Sequence, residues 1–287
     1  MSESRRAGAG VAIRGPIGAM GVAAALVTMA ALILLTGVLL VEAREVLDWR
    51  FFLDPPSRVA AEGGVGPALA GSLWLTLLVA AIAVPLGVGT AVYLAEYAPP
   101  TRLVKAVESV LTNLAGVPSV VYGIAGLALF VRGLGLGPSI LAGALTLTAL
   151  TVPLVVVNCR KALCAVPDEF RWAAFGLGAS RWQVVRDQVL PAAAPDIVAG
   201  CCAALLRAVG AAAPLLMLGA VSFTTFAPDS PNDPLTALPT QIFAWAARPQ
   251  EGFLALAAGA SVALLLLMAA MHLVLFAHRR RQRGTSA

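Results

Sequence analysis

Residues Arg171 to Pro191 read RWAAFGLGASRWQVVRDQVLP, a stretch of charged, small and spaced apolar residues in a chain otherwise dominated by long apolar runs. Including the residue just before it, its apolar residues recur at helical spacing in two groups: Phe170, Ala174 and Leu177, then Trp182, Val185 and Val189. The acidic Asp168 favours a helix start. Gly178 then favours a turn and Ser180 the cap of a second helix, which ends at Pro191. The stretch therefore predicts two short amphipathic helices joined by a tight turn.

The rest of the chain has the composition of an integral membrane protein. Of its 287 residues, 59% are hydrophobic and only 12% are charged, and the mean hydropathy is +0.87. A helix needs about 20 apolar residues to cross a bilayer, whereas a barrel strand shows about ten residues of alternating hydrophobicity. The apolar runs here are long and do not alternate, so the predicted fold is all-α.

Six transmembrane helices are predicted from the apolar runs. They cover residues 17–41, 71–95, 112–131, 138–158, 195–220 and 253–277. Proline and glycine residues interrupt the third and fourth of them, at Pro118, Gly123, Gly126, Pro138 and Pro153. Membrane helices tolerate such residues where neighbouring helices satisfy the freed backbone groups.

The predicted organisation is a single membrane domain of residues 17–277, with the connecting loop at 166–191 and short tails at 1–16 and 278–287. The first span is longer than a cleavable signal core and lacks a small-residue cleavage site, so we expect it to be retained. Of the twenty Lys and Arg residues, fourteen lie in the two tails, the second-to-third connection and the fourth-to-fifth connection that contains the 166–191 loop. The positive-inside rule therefore predicts that both termini and the loop are cytoplasmic.

Neither a catalytic site nor a metal site is predicted. The spans contain no converging Ser and His, no pair of aspartates and no HExxH, which argues against an intramembrane enzyme. The four cysteines, Cys159, Cys164, Cys201 and Cys202, have no paired CxxC spacing, and we expect them to be reduced and buried. Binding to anionic lipid headgroups accounts for the net charge of +5 without a nucleic acid partner.

One charged residue lies deep within an apolar run. Arg207 follows Pro195 by twelve residues, so in a continuous fifth helix it would lie roughly 18 Å along, near the middle of the bilayer. An arginine there costs about 2.5 to 3.5 kcal/mol and usually faces a bundle interior or a water-filled cavity. Its planar guanidinium suits an oxyanion such as phosphate. The alternative is a structural arginine paired with a carboxylate or with backbone carbonyls.

The loop resembles the coupling loop of ABC importer permeases, whose pattern is Glu-Ala-Ala, three residues, Gly, nine residues, Ile, one residue, Leu-Pro. Five positions match: Ala173, Ala174, Gly178, Leu190 and Pro191. Trp172 and Gln188 stand where the pattern has Glu and Ile. The resemblance implies that the loop docks on a cytoplasmic ATPase subunit. Amphipathicity alone fits an alternative equally well, in which the two helices rest on the lipid headgroups.

Further segments resemble the PstA-type permease of the phosphate-specific ABC importer. They are YLAEYAP (93–99), NLAGVPSVVYGIAGLALF (113–130), LGAS followed by RW, LPAAAPDIVAG, LRAVGAAAPLL (206–216) and TALPTQIFAWA (236–246). The resemblance implies a bacterial inner-membrane location and partnership with a PstC-type permease, two PstB-type ATPases and a PstS-type phosphate-binding protein. Since the chain lacks a GxxxxGK[ST] sequence, ATP and Mg are expected on the ATPase, and the chain carries no cofactor.

The resemblance also concerns the residues that line the transport pathway. The family stretch commonly reads Arg-Ala-x-Gly-Glu-x-Ala-Pro, which starts at Arg207 here and places Ala211 where the family has Glu. Asn113, Ser119 and Tyr122 are further candidates, because a polar cluster there would line a break in the third span. The prediction is a phosphate permease. The alternatives are a permease for another oxyanion or small nutrient, and a channel or scaffold subunit without ATP coupling.

Overall fold

A computed structural model describes residues 16–220 and 224–284, so the predicted tail of residues 1–16 lies outside the described part except for Pro16. Its helices are α1 Pro16–Ala43, α2 Trp49–Leu53, α3 Gly66–Val92, α4 Arg102–Leu114, α5 Ser119–Gly126, α6 Ile140–Cys164, α7 Asp168–Gly176, α8 Arg181–Val184, α9 Leu190–Val209, α10 Ala212–Met217, α11 Leu238–Ala246 and α12 Phe253–Gly284. Three π-helical segments continue α3, α5 and α8, at Tyr93–Tyr97, Leu127–Gly133 and Val185–Val189. The all-α prediction is confirmed for the described residues, which contain no strand.

Five helices are long and apolar enough to cross a membrane, and a bent helix pair provides a sixth crossing if it is counted as one span. The five are Gly18–Ala43, Gly66–Tyr97, Ile140–Cys164, Arg181–Val209 and Phe253–Leu273. The multi-pass helical architecture is therefore confirmed. The fourth predicted span was too short, because α6 continues to Cys164 and carries Arg160 and Lys161 within the helix.

The third predicted span, 112–131, is wrong as a single helix. α4 ends at Leu114, and the chain bends by 100° before α5 begins at Ser119. Pro118 is not inside a helix but caps α5, and its ring disfavours a helical conformation at the preceding residue. The two basic residues assigned to the second-to-third loop, Arg102 and Lys105, lie on α4 instead.

The fifth predicted span, 195–220, is wrong at both ends. The helix starts at Arg181 and runs through Pro191, because the π-helical segment Val185–Val189 joins α8 to α9 without a break. It stops at Val209, and the extended backbone of Ala211 leads into the short α10. Pro214 lies in the first turn of α10, where a proline leaves no hydrogen bond unmade. Pro191 therefore does not end the second loop helix.

The core is formed where α3, α6 and α9 pack together. The contact between α3 and α6 is the most extensive in the described structure, and Gly87 brings the two backbones close because a Cβ there would collide with Val155. α6 is the central helix, with two thirds of its most apolar window buried. The three helices therefore form the packed centre of the bundle, against which the remaining helices lie.

The connections at 42–70 and 221–252, for which little structure was predicted, contain α2 and α11. α11 packs against α12, and its Trp245 is fully buried beside Phe51 of α2. The hydroxyl of Ser72 on α3 accepts a hydrogen bond of 2.8 Å from the backbone N–H of Leu238 at the start of α11. These segments form a packed cap at the end of the bundle opposite α7.

Candidate functional site

Two parts of the molecule contain the predicted functional residues. We call the first the loop end, formed by α7, α8 and the C-terminal turns of α3 and α6. We call the second the break region, formed by residues 113–122 between α4 and α5 and by residues 207–214 between α9 and α10. The loop end contains the predicted coupling residues, and the break region contains the predicted pathway residues.

The helix–turn–helix prediction for the loop is confirmed, and its local causes are visible. Pro167 rather than Asp168 occupies the cap position of α7, so the acidic residue acts from the first turn. Gly178 has φ +84°, a left-handed conformation that strains any residue with a Cβ. Ser180 then forms a capping box with Gln183, through hydrogen bonds of 2.7 Å and 3.4 Å between the side chains and the opposite backbone N–H groups.

The two faces of the loop differ in exposure. Its outer face carries large apolar side chains that are each at least 45% exposed, namely Phe170, Trp172, Phe175, Leu177 and Trp182. Leu177 is the extreme case, with 90% of its surface exposed. The inner face is buried: Val184, Val185 and Val189 are all fully covered. The face predicted from Trp182, Val185 and Val189 is therefore divided, with the tryptophan pointing away from the two valines.

The five predicted coupling residues fall into two groups. Ala173, Ala174 and Gly178 lie together on α7 and its turn, where open space surrounds Gly178. Leu190 and Pro191 instead begin α9. Ala174 and Leu190 are half-buried against the same cluster that holds the loop to α6, whereas Ala173, Gly178 and Pro191 are exposed.

Arg171 is a functional candidate that the sequence analysis counted only as a positive charge. Its side chain is 15% exposed, and its guanidinium bonds Glu96 through two nitrogens, with Nη2 to Oε1 at 2.7 Å and Nε to Oε2 at 3.3 Å. Its hydrogen bonds to Glu96 raise the pKa of Arg171 above the ordinary arginine value. The sequence signal for this pair was Glu96 itself, the only acidic residue between Glu62 and Glu108.

Arg171 also reaches the end of α6. It donates to the carbonyls of Leu163 and Val166, at 3.1 Å and 2.8 Å, and to a carboxylate oxygen of Asp168 at 3.2 Å. Carbonyls at a helix C-terminus lack partners within the helix, so these bonds cap α6. With the two bonds to Glu96, all five N–H groups of the guanidinium are satisfied. Beside it, the guanidinium of Arg181 lies 5.9 Å from the ring centre of Tyr97.

The break region contains Tyr122 on α5 and Arg207 in the last turn of α9. The Tyr122 hydroxyl donates a 2.9 Å hydrogen bond to the carbonyl of Leu114, which ties α5 to the end of α4. Asn113 and Ser119 stand on either side of the same bend: the Asn113 carbonyl accepts from the N–H of Gly116 at 3.0 Å, and Ser119 is the first residue of α5.

Arg207 lies in the last turn of α9 rather than within a continuous span. Its side chain is exposed, and among residues 16–220 and 224–284 no hydrogen bond or ion pair holds the guanidinium. Ala211, at the position where the resembled family has Glu, is the residue before α10 and is half-buried against the core. The break region therefore presents a cation that the described part of the chain leaves without a carboxylate.

Residues 64–283 match the family described as the binding-protein-dependent transport system inner membrane component. The chain is 34% identical over 223 residues to the "Probable ABC transporter permease protein YqgI" of Bacillus subtilis, covering 76% of each chain. It is 35% identical over 225 residues to the "Phosphate transport system permease protein PstA 1" of Mycobacterium tuberculosis, covering 77% of this chain and 72% of the relative.

Solved structures agree on the fold. A chain of a bacterial alginate ABC transporter in complex with a pentasaccharide-bound periplasmic protein superposes with a TM-score of 0.68, covering 92% of this chain and 94% of that one at 14% identity. A chain of the MetNI methionine ABC transporter, in an inward-facing conformation, superposes with a TM-score of 0.57 over 76% of this chain and 94% of its own, at 20% identity. At these identities the likeness concerns the fold alone.

Proposed function

Because this chain belongs to the family of binding-protein-dependent transport system inner membrane components, we propose that it is one of two membrane subunits of an ATP-driven importer of inorganic phosphate. The observation that carries the choice of phosphate is Arg207, an exposed guanidinium at a helix break with no anionic partner among the described residues. Relatives named as phosphate transport permeases support the same choice.

The chemistry of the break region fits a phosphate ion in transit. A guanidinium presents a planar set of donors that matches two oxygens of a phosphate, and its charge persists at any cellular pH. Tyr122 adds a hydroxyl in the same region, bonded to the carbonyl of Leu114. The polar groups at the ends of α4 and α5, including Asn113 and Ser119, are available where the bend interrupts the membrane helices. Weak, successive contacts of this kind suit passage rather than storage.

We place the protein in a bacterial inner membrane, with the loop end and both termini on the cytoplasmic side. The excess of Lys and Arg in the tails and in the connections next to the loop supports this orientation. An exposed row of aromatic side chains beside small residues on α7 then faces an ATPase subunit. A groove in that subunit that accepts Trp172 and Phe175 would cover surface that is costly to leave in water.

The assembly implied is a complex of several proteins. This subunit pairs with a homologous PstC-type permease, two PstB-type ATPases bind at the loop ends, and a PstS-type protein delivers phosphate from outside. ATP and Mg bind to the ATPases, because the sequence has no phosphate-binding GxxxxGK[ST] loop of its own. The chain is therefore a transport subunit without catalytic residues, and closure of the ATPases moves its helices.

Reconstitution of the whole complex in liposomes tests the proposal. With the binding protein added outside and ATP inside, we expect uptake of radiolabelled phosphate and stimulation of ATP hydrolysis by phosphate. Sulfate and molybdate, added with their own binding proteins, distinguish the second candidate, an importer of another oxyanion. Ala211 in place of Glu favours that candidate, since a missing carboxylate changes how an anion is held. Stimulation by another oxyanion and not by phosphate would contradict the proposal.

A further inference from the structure

The loop is connected to three membrane helices in different ways. Only three residues, Ala165 to Pro167, separate α7 from the end of α6. On its other side the loop continues without interruption from α8 into α9. It has no covalent connection to α3, which ends about seventy residues earlier in the sequence. Any displacement of α7 therefore reaches α6 and α9 through the chain itself, but reaches α3 only through side-chain contacts.

The polar contact that links α7 directly to the end of α3 is the pair Glu96–Arg171. Only 8% of the Glu96 side chain and 15% of the Arg171 side chain are exposed, and both carboxylate oxygens bond the guanidinium. A two-pronged arginine–carboxylate pair fixes orientation as well as distance. Because Arg171 also holds the carbonyls of Leu163 and Val166, the same side chain joins the ends of α3 and α6 to α7.

The position of Glu96 within α3 adds to this argument. It lies in the π-helical segment Tyr93–Tyr97, where one turn of the helix is wider than an α-turn. Such single wide turns are frequent at functional positions in helices. The neighbouring Tyr97 contacts Arg181 at the start of α8. Two adjacent residues of this turn therefore contact the two helices of the loop.

We propose that the Glu96–Arg171 pair is the joint that transmits movement of α7 to α3, and so couples ATP hydrolysis to opening of the transport pathway. The inference rests on the proposed function, because it assumes that an ATPase moves α7. It assigns Arg171 and Glu96 as positioning residues, which act on transport through α3 and contact neither phosphate nor ATP. α3 has the most extensive helix contact in the described structure with α6, so movement that reaches α3 through this pair is passed on to the centre of the bundle.

A second ion pair at the same end of the molecule serves as the control. Glu108 of α4 and Arg160 of α6 lie 2.7 Å apart, and neither touches α7. The control and test pairs have the same residue types and the same closest distance. Glu108→Gln should therefore reveal what the loss of an ion pair near the membrane surface does by itself.

The experiment uses the reconstituted complex and measures phosphate transported per ATP hydrolysed. In Glu96→Gln we expect this ratio to fall at least fivefold while the ATPase still co-purifies and still hydrolyses ATP. In Glu108→Gln the ratio should stay within twofold of the wild type. The double variant Glu96→Gln/Arg171→Gln should fall no further than Arg171→Gln alone, because residues that act through each other are not additive.

Several results would overturn the inference. One is an unchanged ratio in Glu96→Gln. Another is loss of the ATPase from the Glu96→Gln complex, because the pair would then only support the docking surface. A double variant that falls several-fold below both single variants would show independent roles. If Glu96→Gln does not accumulate, Arg171→Lys decides: it keeps the charge without the two-pronged geometry, and an unchanged ratio there overturns the inference. Failure of the wild-type complex to transport phosphate would count against the proposed function instead.

Discussion

The loop end and the break region each contain one central arginine, and the two arginines are held in opposite ways. Arg171 is largely buried and uses all five of its N–H groups within this chain, on Glu96, Asp168 and the last carbonyls of α6. Arg207 is exposed, and its guanidinium has no hydrogen bond or ion pair among the described residues. An arginine thus joins structural elements at the loop end, whereas in the break region an arginine is left without a partner among the described residues.

The difference shows which parts of the molecule are complete in one chain. At the loop end the Arg171 guanidinium and the cap of α8 find their partners within the subunit, and large apolar side chains of α7 are left exposed. In the break region the helices stop, and the polar groups at their ends point to surface that this chain does not cover. A pathway shared between two subunits would be expected to look like this, since each supplies half of its lining.

The largest expected effect comes from removing the unpaired guanidinium of Arg207. Arg207→Ala should lower phosphate uptake by the reconstituted complex at least tenfold, because the hydrogen bonds and charge that the guanidinium offers to the anion are lost. Expression and ATPase association should stay normal. Arg132→Ala is the matched control, since Arg132 is also exposed and also lies in the last turn of a helix. Undiminished uptake in Arg207→Ala would remove the residue from the pathway.

The next effect concerns the turn of the loop. Gly178→Val should weaken association with the ATPase about tenfold, because a β-branched residue at φ +84° costs roughly 1 to 2 kcal/mol and misplaces the exposed face of α7. Co-purification of the ATPase measures it. Gly176→Ala, at the last residue of α7 and also surrounded by open space, should leave association unchanged. Equal association in both variants would mean that the turn geometry does not matter for docking.

A third prediction tests whether the break region is packed as firmly as the loop end. A Cβ on Gly123 would lie 2.7 Å from the Cα of Pro214, so α5 and α10 are in direct backbone contact there. Gly123→Ala should destabilise the subunit by about 1 to 3 kcal/mol, the usual range for overpacking. Thermal unfolding of the purified complex measures the loss. Gly89→Ala, with nothing near its Cβ, should keep or raise the melting temperature.

The smallest expected effect is at the cap of α8. Ser180→Ala removes the hydroxyl that accepts from the N–H of Gln183, and should cost about 1 kcal/mol of local stability. Hydrogen exchange of the α8 amides would report it as faster opening with an unchanged global melting temperature. Ser109→Ala, at an exposed position within α4, is the control and should change nothing. Unchanged exchange after Ser180→Ala would mean that packing of Val184 and Val185, not the cap, holds the helix start.

Sequence reasoning succeeded where the causes are local. The cap at Ser180 and the turn at Gly178 are determined by a few neighbouring residues, so the loop was predicted correctly. It failed at the end of that loop. Pro191 was predicted to stop the helix, but the helix runs from Arg181 to Val209. The wider π-helical turn Val185–Val189 directly precedes the proline, and local π-helical adjustments of this kind let a membrane helix accommodate a residue without a backbone N–H.

A break in the third span was considered beside Asn113 and Ser119, but its bend was not predicted, because hydropathy does not register backbone direction and the chain turns by 100° there. The break in the fifth span was missed altogether: Gly210 and Pro214 were its signals, and neither was used as one. The pair Glu96–Arg171 was missed for another reason: its members are 75 residues apart, and only the packing of α3 beside α6 brings them together.

The central claim is that the loop end faces the cytoplasm and is covered there by an ATPase. A variant with its four cysteines replaced and Leu177→Cys introduced places one thiol at the most exposed apolar residue of the loop. A membrane-impermeant maleimide should label it in inside-out vesicles but not in intact cells, and a bound ATPase should protect it. Labelling in intact cells would contradict the account, because no cytoplasmic motor could then reach the loop.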